Sequence, residues 1–207
     1  MLLNTIQSLY EVGEPIFSND IVLKGVSDVA LRQQFKTLCD KGILNRFDSG
    51  VYYLPKKSRL SGTNQLSSEL VAKYKYISNK KDIFGYYSGY TFANQIGILT
   101  QVPVKEEIVS NKMAAIVRDI KLGNQSFIVR HSKIKITKEN QKVLQLLDLL
   151  KDIDFYAEVD DETVKNRITN FIQQNKITRK QIEMYITNFP LKTYKTIFDM
   201  RLEDVFA

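Results

Sequence analysis

Residues 25–54 read GVSDVALRQQFKTLCDKGILNRFDSGVYYL, and their patterning decides the fold of the first part of the chain. Ser27 carries a side-chain oxygen that can accept from a free backbone N–H at the start of a helix. Leu31, Phe35 and Leu38 then recur at i, i+4 and i+7, the spacing of one buried helical stripe. Gly42 is placed as a C-terminal stop. Ile43 to Phe47 and Val51 to Leu54 flank the turn Asp48-Ser49-Gly50, and two short strands around a glycine-containing turn predict a hairpin.

Upstream, Leu3, Ile6, Leu9 and Tyr10 recur at helical spacing and predict a first helix, ended by Gly13 and Pro15. Ser18 is expected to cap a short second helix carrying Ile21 and Val22, which Gly25 stops. The order is helix, short helix, tight glycine turn, longer helix, hairpin. That order predicts a winged helix-turn-helix over residues 1–60.

The helix Ser27–Lys41 turns Asp28, Val29, Arg32, Gln33 and Lys36 away from its apolar stripe. Arg32 can pair with guanine and Gln33 with adenine at major-groove edges, and Asp28 can accept from cytosine or favour the helix N-terminus. Lys36 offers a point charge for a phosphate. Arg46 in the hairpin, and Lys56, Lys57 and Arg59 after it, are expected on flanking phosphates, which position a protein without reading sequence. Any solvated helix face carries such residues; the glycine turn before it and the hairpin after it give this one weight. The residues expected at DNA are therefore Ser27, Asp28, Arg32, Gln33, Lys36, Arg46, Lys56, Lys57 and Arg59.

Residues 61–207 are expected to form an α+β domain. An amphipathic helix over 64–77 would bury Leu66, Leu70, Val71 and Tyr74. Strands are predicted at Val104–Ser110, Ala114–Lys121 and Ser126–Ile134, making a small antiparallel sheet over about 104–134. Gly123-Asn124 marks its last hairpin turn. From Glu139 the period is helical again. The expected stripes are Val143, Leu146, Leu147, Leu150; Val164, Ile168, Phe171, Ile172; and Ile182, Tyr185, Ile186, Phe189. Thr178 to Gln181 has the form of a capping box. Pro190 breaks the pattern ahead of a last helix with Leu191, Tyr194 and Phe198.

Composition fits this reading. The 207 residues carry a formal net charge of +7, which favours a polyanionic partner. Residues 1–60 hold 8 basic and 6 acidic side chains, 61–138 hold 12 and 5, and 139–207 hold 10 and 12, so the positive charge lies in the first two thirds. The single cysteine, Cys39, excludes an internal disulfide and fits a reducing cytosol. No secretory signal and no run long enough to span a bilayer is present, so a cytoplasmic protein without a membrane partner is expected.

Catalytic readings find little. His131, the only histidine, sits on a predicted strand without a nucleophile motif, and Cys39 reads as a small buried residue. There is no glycine-rich phosphate loop and no metal-ligand spacing. Asp152, Asp154, Glu158, Asp160, Asp161 and Glu162 read as solvated acids at a helix start. A nuclease site would want a lysine that Glu158-Val159-Asp160 lacks. Lys73, Lys75, Lys80 and Lys81, with Arg130, Lys133, Lys135 and Lys138, are interleaved with Tyr74, Tyr76, Tyr86, Tyr87 and Tyr90. That mix can stack single-stranded nucleic acid, but we read the tyrosines as half-buried core. Neither enzyme activity, nor a cofactor, nor a metal, nor a small-molecule ligand is expected.

Two runs carry a family resemblance. One is Gly25, the helix Ser27–Lys41, then Gly42-Ile43-Leu44-Asn45-Arg46 and Gly50-Val51-Tyr52. The other is Gly85-Tyr86-Tyr87-Ser88-Gly89-Tyr90-Thr91-Phe92-Ala93-Asn94-Gln95-Ile96-Gly97-Ile98, followed by Thr100-Gln101-Val102-Pro103. Over roughly residues 1–135 the chain resembles the AbiEi-type antitoxins, transcriptional regulators of abortive-infection toxin–antitoxin systems. In that family a similar lysine-glycine, apolar, basic, glycine-aromatic run forms the wing, and the second run looks like its characteristic helix with an exit into a sheet. The resemblance implies a winged helix that binds inverted repeats in its own promoter and a C-terminal part that supplies antitoxin activity. It implies a nucleotidyltransferase-like toxin as functional partner, without need of a stable complex. Alternatives from other classes are a winged-helix module that binds a partner enzyme directly, or an RNA-binding regulator.

Overall fold

The computed structural model describes residues 1–56 and 65–206. It is a mixed α+β structure that divides into two compact units. Unit 1 takes Met1–Tyr74 with Leu122–Gln125, and unit 2 takes Lys75–Lys121 with Ser126–Ala207. The expected domain boundary between residues 60 and 61 lies outside the described residues.

Unit 1 opens with helix α1 (Leu2–Leu9), strand β1 (Ile16–Phe17) and a single 3-10 turn at Ser18–Asp20. Helix α2 (Asp28–Asp40) follows, then strands β2 (Asn45–Asp48) and β3 (Val51–Tyr53), and later the short helix α3 (Ser68–Ala72). The strands form an antiparallel sheet in the order β1-β3-β2. Leu2, Ile6, Ile16, Ile21, Leu31, Phe35 and Leu44 make the core. Phe35 is fully buried and stacks on Tyr52, ring centroids 4.4 Å apart, which fastens the hairpin to α2. Burying a side chain of that size contributes about 1.5–3 kcal/mol. Glu14, also buried, accepts from the backbone N–H of Glu11 and the hydroxyl of Tyr74.

Three expectations for this unit are corrected. The second helix does not form: Ile21 and Val22 follow the 3-10 turn in extended or irregular backbone, Ile21 buried and Val22 exposed. Leu9 is exposed, and Leu2 takes the buried place on α1. Leu38 is only half-buried, packed at the margin of the core.

A π-helical turn at Lys73–Ile77 continues α3, so the expected helix 64–77 is α only over Ser68–Ala72. Strand β4 (Gly85–Tyr87) leads directly into helix α4 (Gly89–Gln95). Strands β5 (Glu106–Ser110), β6 (Val117–Leu122) and β7 (Gln125–His131) follow. The sheet order is β4-β5-β7-β6, with β4 antiparallel and β7 parallel to β5. This corrects the expected antiparallel sheet in two ways: it gains β4, and β7 inserts between β5 and β6. Burial explains the order. β7 buries Phe127 and Val129 and β5 buries Ile108, Val109 and Ser110, so both lie inside the sheet, whereas β6 buries only Leu122 and stands at the edge. β5 and β6 also start later than expected, since Val104 and Ile116 are exposed outside them, whereas β7 starts one residue earlier and stops at His131, short of the expected Ile134.

Five helices close the chain: α5 (Gln141–Leu150), α6 (Ile153–Tyr156), α7 (Asp161–Gln174), α8 (Arg179–Tyr185) and α9 (Leu191–Asp199). Residues 143–150 of α5 are buried without a break, as befits a helix that is the centre of its unit. The expected capping box is present: Thr178 Oγ1 accepts from the Gln181 N–H at 3.2 Å, and Gln181 Oε1 accepts from the Thr178 N–H at 3.0 Å. The expected last helix forms as α9, with its named apolar residues on the outer side. Thr193 and Ile197 are buried, while Leu191, Tyr194 and Phe198 face outward. Both sets have helical spacing, so periodicity alone could not choose between them.

Candidate nucleic-acid interface

Helix α2 starts where its cap requires. Ser27 has extended backbone and its hydroxyl oxygen accepts from the Ala30 N–H at 3.3 Å. Starting there fixes the rotation of every later residue. Leu31 and Phe35 point into the core, and Asp28, Val29, Arg32, Gln33 and Lys36 are exposed.

Arg32, Lys36, Cys39 and Asp40 from α2 line one concavity of about 790 Å³ with Arg46, Ser49, Gly50 and Tyr52 from the hairpin and Ser18 and Asn19 from the 3-10 turn. Three of the sequence-predicted residues, Arg32, Lys36 and Arg46, therefore meet although two lie on a helix and one on a strand. Asp40 is the single acid on that wall. Among the described residues neither Arg32 nor Lys36 has an ion-pair partner. Arg46 donates from Nε to the Asp48 carbonyl oxygen at 3.3 Å, which steadies its guanidinium beside a bulge in β2. Three exposed cations against one acid make a positive notch suited to a phosphate or another anion.

The other expected residues fall as follows. Asp28 and Gln33 are exposed on α2 outside the notch, Ser27 is engaged as the cap, and Lys56 is exposed. Lys57 and Arg59 lie outside the described residues. Cys39 was read as a small buried residue but is half-buried on the wall of the notch; burial, then Asp40, push its thiol up, while Arg46 works the other way. Sequence reasoning missed Ser18, Asn19 and Tyr52, because only folding brings them beside α2.

Unit 2 holds a second polar cluster that sequence reasoning did not assemble. Ser88, almost wholly buried, donates to Asp148 and accepts from Arg130. Arg130 also pairs with Asp148 at 3.3 Å and stands 3.9 Å from Glu107, and Lys151 pairs with Asp148. The Glu107 carboxylate accepts from the Tyr90 N–H at 3.2 Å, so it tops the start of α4. Gly89 makes that approach possible: its φ is +53°, and a Cβ there would fall 2.4 Å from a Glu107 oxygen. Gly85 is equally constrained, since a Cβ would lie 2.0 Å from the Tyr76 carbonyl oxygen. Charges in this cluster answer one another, which marks it as the polar heart of the unit. The quoted run from Gly85 to Gly97 was its trace in the sequence.

The interleaved tyrosines divide. Tyr76 and Tyr86 are buried and Tyr74 is tied to Glu14, while Tyr90 is exposed and meets Tyr156 edge-on at 4.9 Å. Three of the acids between 152 and 162 are engaged within the fold. Asp152 pairs with Lys151 and Lys192, Glu158 accepts from the Thr100 N–H and hydroxyl, and Asp160 caps α7 through the Thr163 N–H. Among the described residues no three His, Cys, Asp or Glu side chains gather to hold a metal. No helix among them is long and apolar enough to cross a membrane.

A family model described as "Family of unknown function (DUF6088)" matches residues 2–180. No curated protein matches the chain.

Proposed function

The chain belongs to the DUF6088 family, and we propose that it binds duplex DNA through unit 1, as a repressor of its own promoter and the antitoxin of an abortive-infection pair. On this reading unit 1 is a winged helix-turn-helix in which the 3-10 turn at Ser18–Asp20 stands for the second helix, α2 enters the major groove and the β2–β3 hairpin is the wing. The observation that carries it is the meeting of Arg32, Lys36 and Arg46 at one positive notch between helix and hairpin. Gln33 and Val29 lie on the exposed side of α2 and suit base edges, an amide for adenine and a methyl-bearing side chain for thymine. The partner is an inverted repeat in the promoter. Nothing in this role requires catalysis or a cofactor.

The antitoxin half rests on the resemblance carried by residues 85–98 and 100–103. Its functional partner is a nucleotidyltransferase-like toxin, controlled without a stable complex.

A gel-shift titration with the chain's own promoter fragment tests the DNA reading. The unaltered protein retards the fragment, and log affinity falls steeply with log salt, by about 0.9 for each phosphate neutralised. The double variant Arg32→Ala/Lys36→Ala binds more weakly. Equal affinity for the variant, or a flat salt dependence, would overturn the assignment.

A further inference from the structure

The two edges of the unit 2 sheet are treated differently. At the β4 edge, Gln141 and Gln145 of α5 donate from Nε2 to the carbonyl oxygens of Gly85 and Tyr87, each at 2.8 Å. A helical repeat of four thus matches a strand repeat of two, and the edge is closed. At the β6 edge nothing comparable occurs among the described residues. Val117, Arg118, Asp119 and Lys121 are exposed, so β6 is wet on both faces.

The direction of its backbone groups follows from two facts. The His131 N–H donates to the Ile116 carbonyl oxygen at 3.0 Å, and β6 and β7 are joined by the two residues Gly123-Asn124. Bonded and non-bonded pairs alternate along antiparallel strands. Residues 116, 118, 120 and 122 therefore bond to β7, and Val117, Asp119 and Lys121 direct N–H and C=O outward.

From this geometry we propose that β6 is the site of self-association, pairing antiparallel with β6 of a second copy about a two-fold axis at Ile120. Outward residues must meet outward residues, so only a few registers exist, and charge selects among them. An axis at Arg118 sets Arg118 against its own copy. An axis at Asp119 opposes two carboxylates, and one at Lys121 opposes two ammonium groups. The axis at Ile120 sets Asp119 opposite Lys121 of the second copy, twice, with the isoleucines meeting at the centre. Opposite charges stabilise directly facing cross-strand pairs and like charges destabilise them. Charges on an edge strand ordinarily keep other strands away; here their order admits one partner, a second copy. Asp119 already holds Lys105 through Oδ2 at 3.1 Å, and its Oδ1 is the oxygen that remains for Lys121 of the copy. A single strand pair buries less than a standard permanent interface, so the association is a concentration-dependent monomer–dimer equilibrium. It stands independently of the DNA reading.

Sedimentation velocity on the full chain over a wide concentration series tests it. The sedimentation coefficient rises with concentration for the unaltered protein. It stays at the monomer value for Asp119→Lys, and rises again for Asp119→Lys/Lys121→Asp, which only reverses the pair. A monomer at every concentration, or undiminished association of Asp119→Lys, overturns the proposal. Should a variant fail to fold, amide hydrogen exchange on the unaltered protein decides. The amides of Asp119 and Lys121 slow as concentration rises, while those of Arg118 and Ile120 are protected throughout. Exchange at Asp119 and Lys121 that ignores concentration also overturns it.

Discussion

Ser88 donates its hydroxyl proton to Asp148, 60 positions later in the chain, and the bond joins the entry of α4 to the last turn of α5. Arg130 closes the triangle from β7, so strand, helix start and central helix share one set of polar contacts.

Asp148→Ala should therefore destabilise unit 2 severely. It strands Arg130 and Lys151 in a poorly solvated place, and breaking a buried pair by removing one partner costs about 3–5 kcal/mol. Ser88→Ala should cost about 1–3 kcal/mol, the range for leaving a buried partner unsatisfied. Urea unfolding followed by circular dichroism measures both. Midpoints within error of the unaltered protein would show that the network contributes nothing net.

The notch and the outer side of α2 should separate in DNA binding. Arg46→Ala should weaken binding about equally for all sequences and lower the salt slope by about one. Gln33→Ala should leave the slope alone and relax preference at a single position, at a cost of about 1–3 kcal/mol. Selection of bound duplexes from a random pool, followed by salt titration of each variant, reads both effects. If Arg46→Ala altered base preference and Gln33→Ala altered the slope, the roles would be reversed.

Alkaline pH should loosen unit 2. Burial pushes the Tyr86 hydroxyl well up, with the Asp148 charge adding to it, and Tyr156 is raised by burial, then Asp152 and Glu107. In the unfolded chain both ionise near pH 10. Their contribution is thus fully present below that value and is lost as pH climbs from there toward the folded-state values. Parallel ultraviolet titration of tyrosinate and circular dichroism should show the last tyrosines ionising together with loss of structure. Tyr156→Phe should delay that loss; an unchanged alkaline limb would count against the assignment.

Much of the local structure was legible in the sequence. Ser27, Leu31 and Phe35 define α2 because cap and stripe are both short-range, and the capping box at Thr178 and Gln181 was readable for the same reason. What escaped depended on distant partners. The order β4-β5-β7-β6 depends on which strands pair across long stretches of chain, which strand periodicity does not encode. The face of α9 was ambiguous because two residue sets shared one period. Within the notch, Arg32 and Lys36 were visible as a pair on one helix, but Ser18, Asn19 and Tyr52 arrive through β1–β3 pairing, and no spacing announces them.

Residues beyond 180, past the end of the family match, include Ile182, Ile186, Ile197 and Leu202, all buried in the same cluster as Val143 and Leu147 of α5. The matched span and the buried cluster around α5 thus have different ends. Cutting the chain at residue 180 would strip those four apolar side chains from the cover of α5 and leave the face that they pack against open to water.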